Sequence, residues 1–249
     1  PCEGCRDLMQ DAPTAHSGRA AGPALTEAEI GQLTEDVLLL LRLHDREPDA
    51  ELLAQMRDVP PKSWFALRMK GPEFETACAQ MAEGIAAIPD PADQAALDDL
   101  AAEFAAIHLT YAYRAAPNES VWRDEEGLER QASMFDVRRW YAKYGVQAPD
   151  WRVRSDDHLV NELQFLALLL RRAENEEGVR ELALFVRDHL LVWAPYFAGR
   201  VAMRCRLQFF AGAMLLTAAY LAALAVVLGT ISGIDMTPPS LQPDKAQAA

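Results

Sequence analysis

The sequence contains few cysteines and fewer basic than acidic side chains. Only four of its 249 residues are cysteine, which excludes a fold held together by many disulfides. A chain of this length can bury one large core without crosslinks or metals, because the buried fraction of the surface rises with chain length. The 24 basic and 37 acidic side chains give a net charge of −13. This charge argues against nucleic acid as a partner and suits a basic one.

Familiar catalytic motifs are also absent from the sequence. There is no Gly-x-Ser-x-Gly elbow, no phosphate-binding Gly-x-x-x-x-Gly-Lys loop, no His-Glu-x-x-His zinc motif and no dinucleotide-binding fingerprint. A small hydrolase or a nucleotide-binding enzyme therefore has little support.

Two of the cysteines form the one redox-like or metal-like motif in the chain. Cys2 and Cys5 have the Cys-x-x-Cys spacing of half a zinc site or of a redox pair, with His16 as a nearby further ligand. An alternative function is therefore that of a helical redox or metal-handling protein that acts through Cys2 and Cys5. The motif lacks a second pair of ligands, so we assign no metal site.

Helical periodicity dominates the chain, and alternation of period two is absent. A capping box at Thr26 and Glu29 opens the first helix, Pro72 begins another, and Asp156 is a predicted N-cap. One helix is predicted from about residue 124 to residue 144. The fold class is all-α, with a flexible leader at 1–24, a compact multi-helix domain at 25–234 and a disordered tail at 235–249.

A long apolar segment near the carboxy terminus allows two interpretations. The 28 residues between Arg206 and Asp235 carry no charge, which is long enough to span a membrane. A helix that is apolar on all sides also occurs at the centre of a soluble bundle. The alanine content and the apolar stripes of the preceding helices favour the buried bundle helix.

Several short motifs occur in an order that resembles a known family. Residues 189–197 match a His-Leu-x-x-Trp-x-Pro-x-Phe pattern, and Asp157-His158-Leu159 precedes Glu162-Leu163-Gln164-Phe165-Leu166. Together with residues 40–53, 117–121 and 137–145, these motifs resemble the TorD/DmsD/NarJ family of molybdoenzyme maturation chaperones. The similarity covers about residues 30–225. Two departures are the loop at 154–158, which lacks the family's Glu-Pro, and His44, which replaces an aromatic residue.

The resemblance implies a cytoplasmic, all-helical chaperone rather than an enzyme. Such a protein binds the twin-arginine signal peptide of a molybdenum-cofactor oxidoreductase and holds the apo-enzyme until the cofactor is inserted, before export. It is a monomer or a homodimer, contacts no nucleic acid and meets the membrane only indirectly. It has no resident cofactor, although transient contact with the molybdenum cofactor or a guanine nucleotide is compatible with the resemblance.

A receptor for a basic pair followed by an apolar segment needs carboxylates beside an apolar surface. Glu119 and Asp157 are suited to pair with guanidinium groups. In the binding role Asp157 orients the His158 imidazole toward the ligand. The structural alternative is that Asp157 caps the next helix and His158 satisfies a buried acceptor, and the resemblance favours the binding role. Ser120 is a ligand donor or a helix cap, and Glu162 is predicted to brace His158.

Aromatic side chains complete the predicted site. Trp122, Trp193, Tyr196 and Phe197 are suited to form its apolar wall, although large rings pack in cores just as often. The complete predicted signal-peptide site is Pro117, Glu119, Ser120, Trp122, Asp157, His158, Glu162, Trp193, Pro195, Tyr196 and Phe197.

Overall fold

Helices are the main secondary structure of the part of the chain that the structure describes, which is residues 24–241. The structure is a computed structural model. Within these residues it has no β-strand, which confirms the predicted all-α class. The helices are α1 Glu27–Asp45, α2 Ala50–Asp58, α3 Pro72–Ala86, α4 Gln94–His108, α5 Glu119–Arg123, α6 Ala132–Lys143, α7 Leu159–Leu170, α8 Glu176–Phe185, α9 Leu191–Arg204 and α10 Gln208–Ser232.

Local capping sets several of the helix starts, as the sequence predicts. The Thr26 hydroxyl accepts a hydrogen bond from the Glu29 backbone N–H, and the Glu29 carboxylate accepts one from the Thr26 backbone N–H at 2.8 Å. This is the predicted capping box. Pro72 occupies the first position of α3, where its missing N–H costs no hydrogen bond. Both predicted starts are confirmed. The sequence could predict them because each depends only on residues that are neighbours along the chain.

The predicted helix from about residue 124 to residue 144 is wrong in its first part. The chain instead forms the short helix α5, a loop, and then α6 from Ala132. The Asp124 carboxylate accepts hydrogen bonds from the backbone N–H groups of Glu126 and Leu128, which closes a turn in place of a helix. Leu128 and Phe135, two apolar residues within the predicted helix, are 48% and 47% exposed.

The predicted N-cap of α7 is also wrong. The cap is His158, whose Nδ1 accepts a hydrogen bond from the Val160 backbone N–H at 3.1 Å. Asp156 lies two residues earlier, is buried, and forms an ion pair with Arg138 at 2.7 Å. The cap must therefore be a neutral imidazole with a free Nδ1 lone pair.

The apolar helix α10 is the centre of the packing. It contacts α3 and α9 most extensively and also packs on α8. Within the described chain it is the helix long and apolar enough to cross a membrane, and 44% of its most apolar window is buried in the fold. These contacts fit the bundle-helix interpretation.

Two glycines bring α3 and α10 into close contact. An ideal Cβ on Gly84 would lie 2.2 Å from the Phe209 backbone nitrogen, and one on Gly212 would lie 2.5 Å from the Met81 Cα. The helix backbones therefore touch where these glycines face the partner helix. No other residue type would permit this approach, because every other residue carries a Cβ.

The predicted leader lies almost wholly outside the described residues, as does the tail beyond residue 241. Residues 233–241 are not helical, and Leu241 is 7% exposed because it packs against the core. The boundaries of the leader and the tail stay predictions.

Candidate functional site

Two loops that the sequence separates by almost forty residues meet at the start of α5 and α7. An isolated antiparallel bridge joins Asn118 to His158. Beside it, the Glu119 backbone N–H donates a hydrogen bond to the Asp157 carbonyl oxygen at 2.9 Å. We call this contact the loop junction, defined by residues 117–120 and 155–158.

Asp157 holds the loop junction together with its side chain. Its carboxylate accepts hydrogen bonds from the Ser120 backbone N–H at 2.7 Å and from the Ser155 hydroxyl. The side chain is fully buried. The Ser120 hydroxyl accepts a hydrogen bond from the Arg130 backbone N–H at 3.0 Å, so it anchors the following loop rather than capping a helix.

Pro117 belongs to the same junction through its backbone. Its carbonyl oxygen accepts a hydrogen bond from the Leu159 backbone N–H at 2.9 Å, and the residue is buried. Proline has no N–H to donate, so it contributes an acceptor to the junction without leaving a donor unpaired.

Glu119 links the loop junction to a distant helical segment. One carboxylate oxygen lies 2.9 Å from Nδ1 of His189, and the other accepts a hydrogen bond from the Arg123 guanidinium at 2.5 Å. His189 lies in a π-helical turn, Val186–Leu190, between α8 and α9. Such turns are common at functional sites. Glu119 is fully buried, whereas the Arg123 side chain is 32% exposed.

Glu162 adds a third buried carboxyl group to this region. Its Oε2 accepts a hydrogen bond from the Trp193 indole N–H at 3.2 Å, and its Oε1 has no hydrogen-bond partner. Burial, and then the nearby charges of Glu119 and Asp157, raise the pKa of Glu162 well above its ordinary value. The predicted bracing of His158 is not seen, since the side-chain bond goes to Trp193.

The predicted aromatic wall lies mostly in the core. Trp122, Trp193 and Phe197 are at most 2% exposed. The Phe197 ring lies 5.8 Å from that of Trp193 and 6.5 Å from that of Trp122. Pro195 and Tyr196 are partly exposed on α9. The structure thus gathers the carboxylates and most of the rings around one region, and it shields them from solvent.

Three histidines share a buried region next to the loop junction. The rings of His44 and His108 lie 5.6 Å apart, and neither ring nitrogen of His108 has a hydrogen-bond partner. The His44 Nε2 lies 2.8 Å from the Thr217 hydroxyl. Burial lowers the pKa of His44 to about 4 and that of His158 to about 3, and it holds the pKa of His108 well below its ordinary value. All three are neutral in the folded protein at pH 7.

These lowered pKa values predict that acid destabilises the protein. In the unfolded chain a histidine takes up a proton below about pH 6.5, whereas His108 in the fold does not, so stability falls as the pH drops from 6.5 toward the folded pKa values. We expect His108→Leu to raise stability at pH 7, because it removes two unpaired buried nitrogens. At pH 5 its advantage should grow by about 2 kcal/mol. Urea unfolding of both proteins at the two pH values measures this.

The comparison of wild type with His108→Leu separates the contribution of His108 to stability from the contributions of the other titrating groups. The raised pKa of Glu162 acts in the opposite direction, since a carboxyl protonated in the fold loses stability as the pH rises above its unfolded value. That contribution is common to both proteins. An equal difference in unfolding free energy at pH 7 and pH 5 would refute the assignment of His108 as a buried neutral group.

Some participants in this region have no motif in the sequence. Arg123 and the ion pair between Arg138 and Asp156 were not predicted. His189 belongs to the motif at residues 189–197, but no pattern indicates its contact with Glu119, which is 70 residues away in the chain. Among these three contacts, only the ion pair between Glu119 and Arg123 is indicated by the sequence, through its i,i+4 spacing.

The described residues contain no group of side chains placed to hold a metal ion. Cys2 and Cys5 lie outside that part of the chain, so the alternative redox or metal function stays untested there. Burial raises the pKa of Cys78 and raises that of Cys205 to about 11. Both thiols are therefore poor nucleophiles at pH 7.

The fold and the site together define an all-helical protein with a buried junction of carboxylates and histidines between two loops. Residues 70–199 match the family described as nitrate reductase delta subunit. This range is just over half of the chain and includes the loop junction, His189 and Trp193. The chain belongs to this family, which confirms the resemblance to TorD and NarJ proteins.

Curated relatives agree with the family assignment. The protein named "Chaperone protein TorD" of Vibrio vulnificus (strain YJ016) is 30% identical over an alignment of 130 residues. The alignment covers 49% of this chain and 60% of that protein. The protein of the same name from Vibrio parahaemolyticus is 32% identical over 108 residues, 40% of this chain and 50% of that protein. The matches thus span half to three fifths of these relatives. Their shared name is that of a chaperone rather than an enzyme.

Proposed function

We propose that this protein is a cytoplasmic chaperone for a molybdenum-cofactor oxidoreductase. In this proposal it binds the twin-arginine signal peptide of that enzyme and holds the apo-form until the cofactor is inserted. Family membership and the chaperone names of the relatives support the general role. The net charge of −13 supports a basic ligand.

The pairing of Glu119 with Arg123 is the observation that carries the signal-peptide part of the proposal. A buried carboxylate already binds one guanidinium at 2.5 Å, and that guanidinium comes from a partly exposed side chain. An arginine of the peptide would replace Arg123 in the same charge-assisted hydrogen bond. His189 would keep the second oxygen of Glu119 satisfied during the exchange.

Entry of the peptide requires the loop junction to open. Glu119, Asp157 and Glu162 are each 0% exposed, so none of them reaches solvent in the present conformation. Arg123 also donates a hydrogen bond to the Asp188 carbonyl oxygen at the π-helical turn. In the proposal, displacement of Arg123 breaks this hydrogen bond, while the contact between Glu119 and His189 keeps α5 joined to the turn.

A peptide titration tests this function. We expect a twin-arginine peptide to bind the full chain with an affinity that falls as salt rises. Replacing the two arginines of the peptide by glutamines should weaken binding strongly, and Glu119→Gln should weaken it by about tenfold, because the amide cannot form the charged pair. Isothermal titration calorimetry measures each dissociation constant.

Glu103 supplies the matched control. Its carboxylate is also fully buried and pairs with the arginine Arg206 at 2.9 Å, but it belongs to α4. Glu103→Gln should leave peptide affinity unchanged. Equal affinity of wild type and Glu119→Gln, in variants shown to be folded by circular dichroism, would refute the proposed contact.

A further inference from the structure

Three guanidinium groups converge on one exposed indole ring. The guanidinium carbons of Arg130, Arg138 and Arg152 lie 5.9, 5.2 and 5.1 Å from the centroid of Trp151. Arg138 also lies 5.4 Å from the ring of Phe135. Trp151 is 39% exposed and Phe135 is 47% exposed. We call these five residues the basic aromatic patch.

The basic aromatic patch has more positive than negative charge, although the protein as a whole is acidic. Of its three arginines, Arg138 is paired with a carboxylate among the contacts of the described chain, namely with the buried Asp156. Asp150 lies nearby, and its carboxylate accepts a hydrogen bond from the Arg152 backbone N–H at 3.1 Å. Like charges held this close repel one another, and an anionic ligand would relieve that repulsion.

An apolar cleft lies near the basic aromatic patch. One of its lining residues, Pro149, precedes Trp151 by two positions in the chain. The cleft has a volume of about 130 Å³, and its apolar lining includes Val146, Ala148 and Pro149 of the preceding loop and Phe165 and Leu168 of α7. The remaining lining residues are Tyr141, Gln147, Asn161 and Gln164. The Cα atoms of Pro149 and Trp151 are within about 7 Å of each other, since two residues span no more than that. A cleft of this size accepts a single aliphatic side chain rather than a nucleotide or a cofactor.

The position of the charges favours an extended ligand over a small anion. The arginines of the patch stand at partly or fully exposed positions, and none of them lines the cleft. Guanidinium forks match carboxylates, and exposed aromatic rings add apolar contact area. A segment that carries several carboxylates and an aliphatic residue would satisfy the patch and the cleft together.

We propose that the basic aromatic patch and the adjoining cleft bind an acidic peptide segment of a partner protein, with one aliphatic side chain of that segment in the cleft. The patch adjoins the loop junction, because Arg138 pairs with Asp156 and the Arg130 backbone N–H donates a hydrogen bond to the Ser120 hydroxyl. Its positive charge is wrong for a basic signal peptide. The inference therefore goes beyond the proposed function and does not depend on it.

A short fluorescein-labelled peptide composed of Glu and Leu tests this inference by fluorescence anisotropy with the full chain. We expect binding that weakens with added salt, because the patch is exposed. The double variant Arg130→Gln/Arg152→Gln should bind about tenfold more weakly, because it loses two charge-assisted contacts. Neither arginine forms an ion pair within the described chain, and the one hydrogen bond that the Arg130 guanidinium donates, to the Arg152 carbonyl oxygen at 2.7 Å, is exposed. Water can replace it, so circular dichroism should show that the double variant keeps its fold.

Control variants of the protein and of the peptide separate the effect of charge on binding from the effect of side-chain shape. Arg171→Gln removes an exposed arginine elsewhere and should leave binding unchanged. A peptide with Gln in place of Glu, and one with Ser in place of Leu, should each bind more weakly than the parent. Equal binding of the Glu and Gln peptides, or of wild type and the double variant, would overturn the inference. So would competition by inorganic phosphate at low concentration, since it would indicate a site for a small anion.

Discussion

Gly212→Ala should destabilise this protein by about 3 kcal/mol. Alanine normally stabilises a helix by about 0.5–1 kcal/mol relative to glycine. Here the new Cβ would lie 2.5 Å from both the backbone nitrogen and the Cα of Met81. Backbone atoms cannot rotate away as a side chain can, so α3 and α10 must separate. The separation would loosen the most extensive helix contact in the fold.

Gly199→Ala is the matched control for this substitution. Gly199 also lies inside a helix, α9, and a Cβ at that position has no neighbouring atom within 4 Å. We expect this variant to gain about 0.5–1 kcal/mol. Denaturant unfolding of the two variants and the wild type measures both changes. A Gly212→Ala protein as stable as the wild type would mean that the two helices do not pack backbone to backbone.

Asp157→Ala should cost about 3 kcal/mol of folding stability, because it leaves the Ser120 backbone N–H buried without an acceptor. The carboxylate accepts that hydrogen bond at 2.7 Å and another from the Ser155 hydroxyl. Its loss also disconnects the two halves of the loop junction. Asp157→Asn should retain part of the stability, since the amide oxygen can still accept the Ser120 hydrogen bond.

Asp150→Ala provides the comparison for Asp157. Asp150 also accepts a hydrogen bond from a backbone N–H, that of Arg152, but it is exposed. Water replaces the lost acceptor there, so we expect a change within about 0.5 kcal/mol. Thermal unfolding followed by circular dichroism measures the three variants. Equal losses for Asp157→Ala and Asp150→Ala would contradict the role of Asp157 as the clamp of the loop junction.

Asp157 combines a role in folding stability with a proposed role in peptide binding. Asp157 stabilises the fold, so a loss of peptide binding in Asp157→Ala would not distinguish unfolding from a lost contact with the peptide. Glu119→Gln keeps the shape of the side chain and is the better probe. The same reasoning favours peptide variants over protein variants wherever both address one contact.

The predictions that succeeded depend on local sequence. The capping box at Thr26 and Glu29 and the start of α3 at Pro72 each concern residues within one helical turn of one another. The family motifs succeeded as well, because residues 70–199 match the family model. The all-α class follows from this same local information.

The predictions that failed are those in which a specific contact outweighs a sequence pattern. Helical periodicity favoured a helix through Leu128, but the Asp124 carboxylate closes a turn with the backbone of that segment. Asp156 is a good N-cap by composition, yet Arg138 binds its carboxylate and His158 takes the cap. Propensity is a weak preference, and a hydrogen bond or an ion pair outweighs it in both cases.

The amino-acid sequence by itself determined the all-α class, the starts of α1 and α3 and the family, because these depend on residues that are close along the chain. Only the tertiary structure decided that the proposed binding carboxylates are buried, that His189 lies beside Glu119 and that Gly84 and Gly212 let two helices touch. Burial is a property of packing between distant segments, and no local pattern encodes which side chains that packing removes from water.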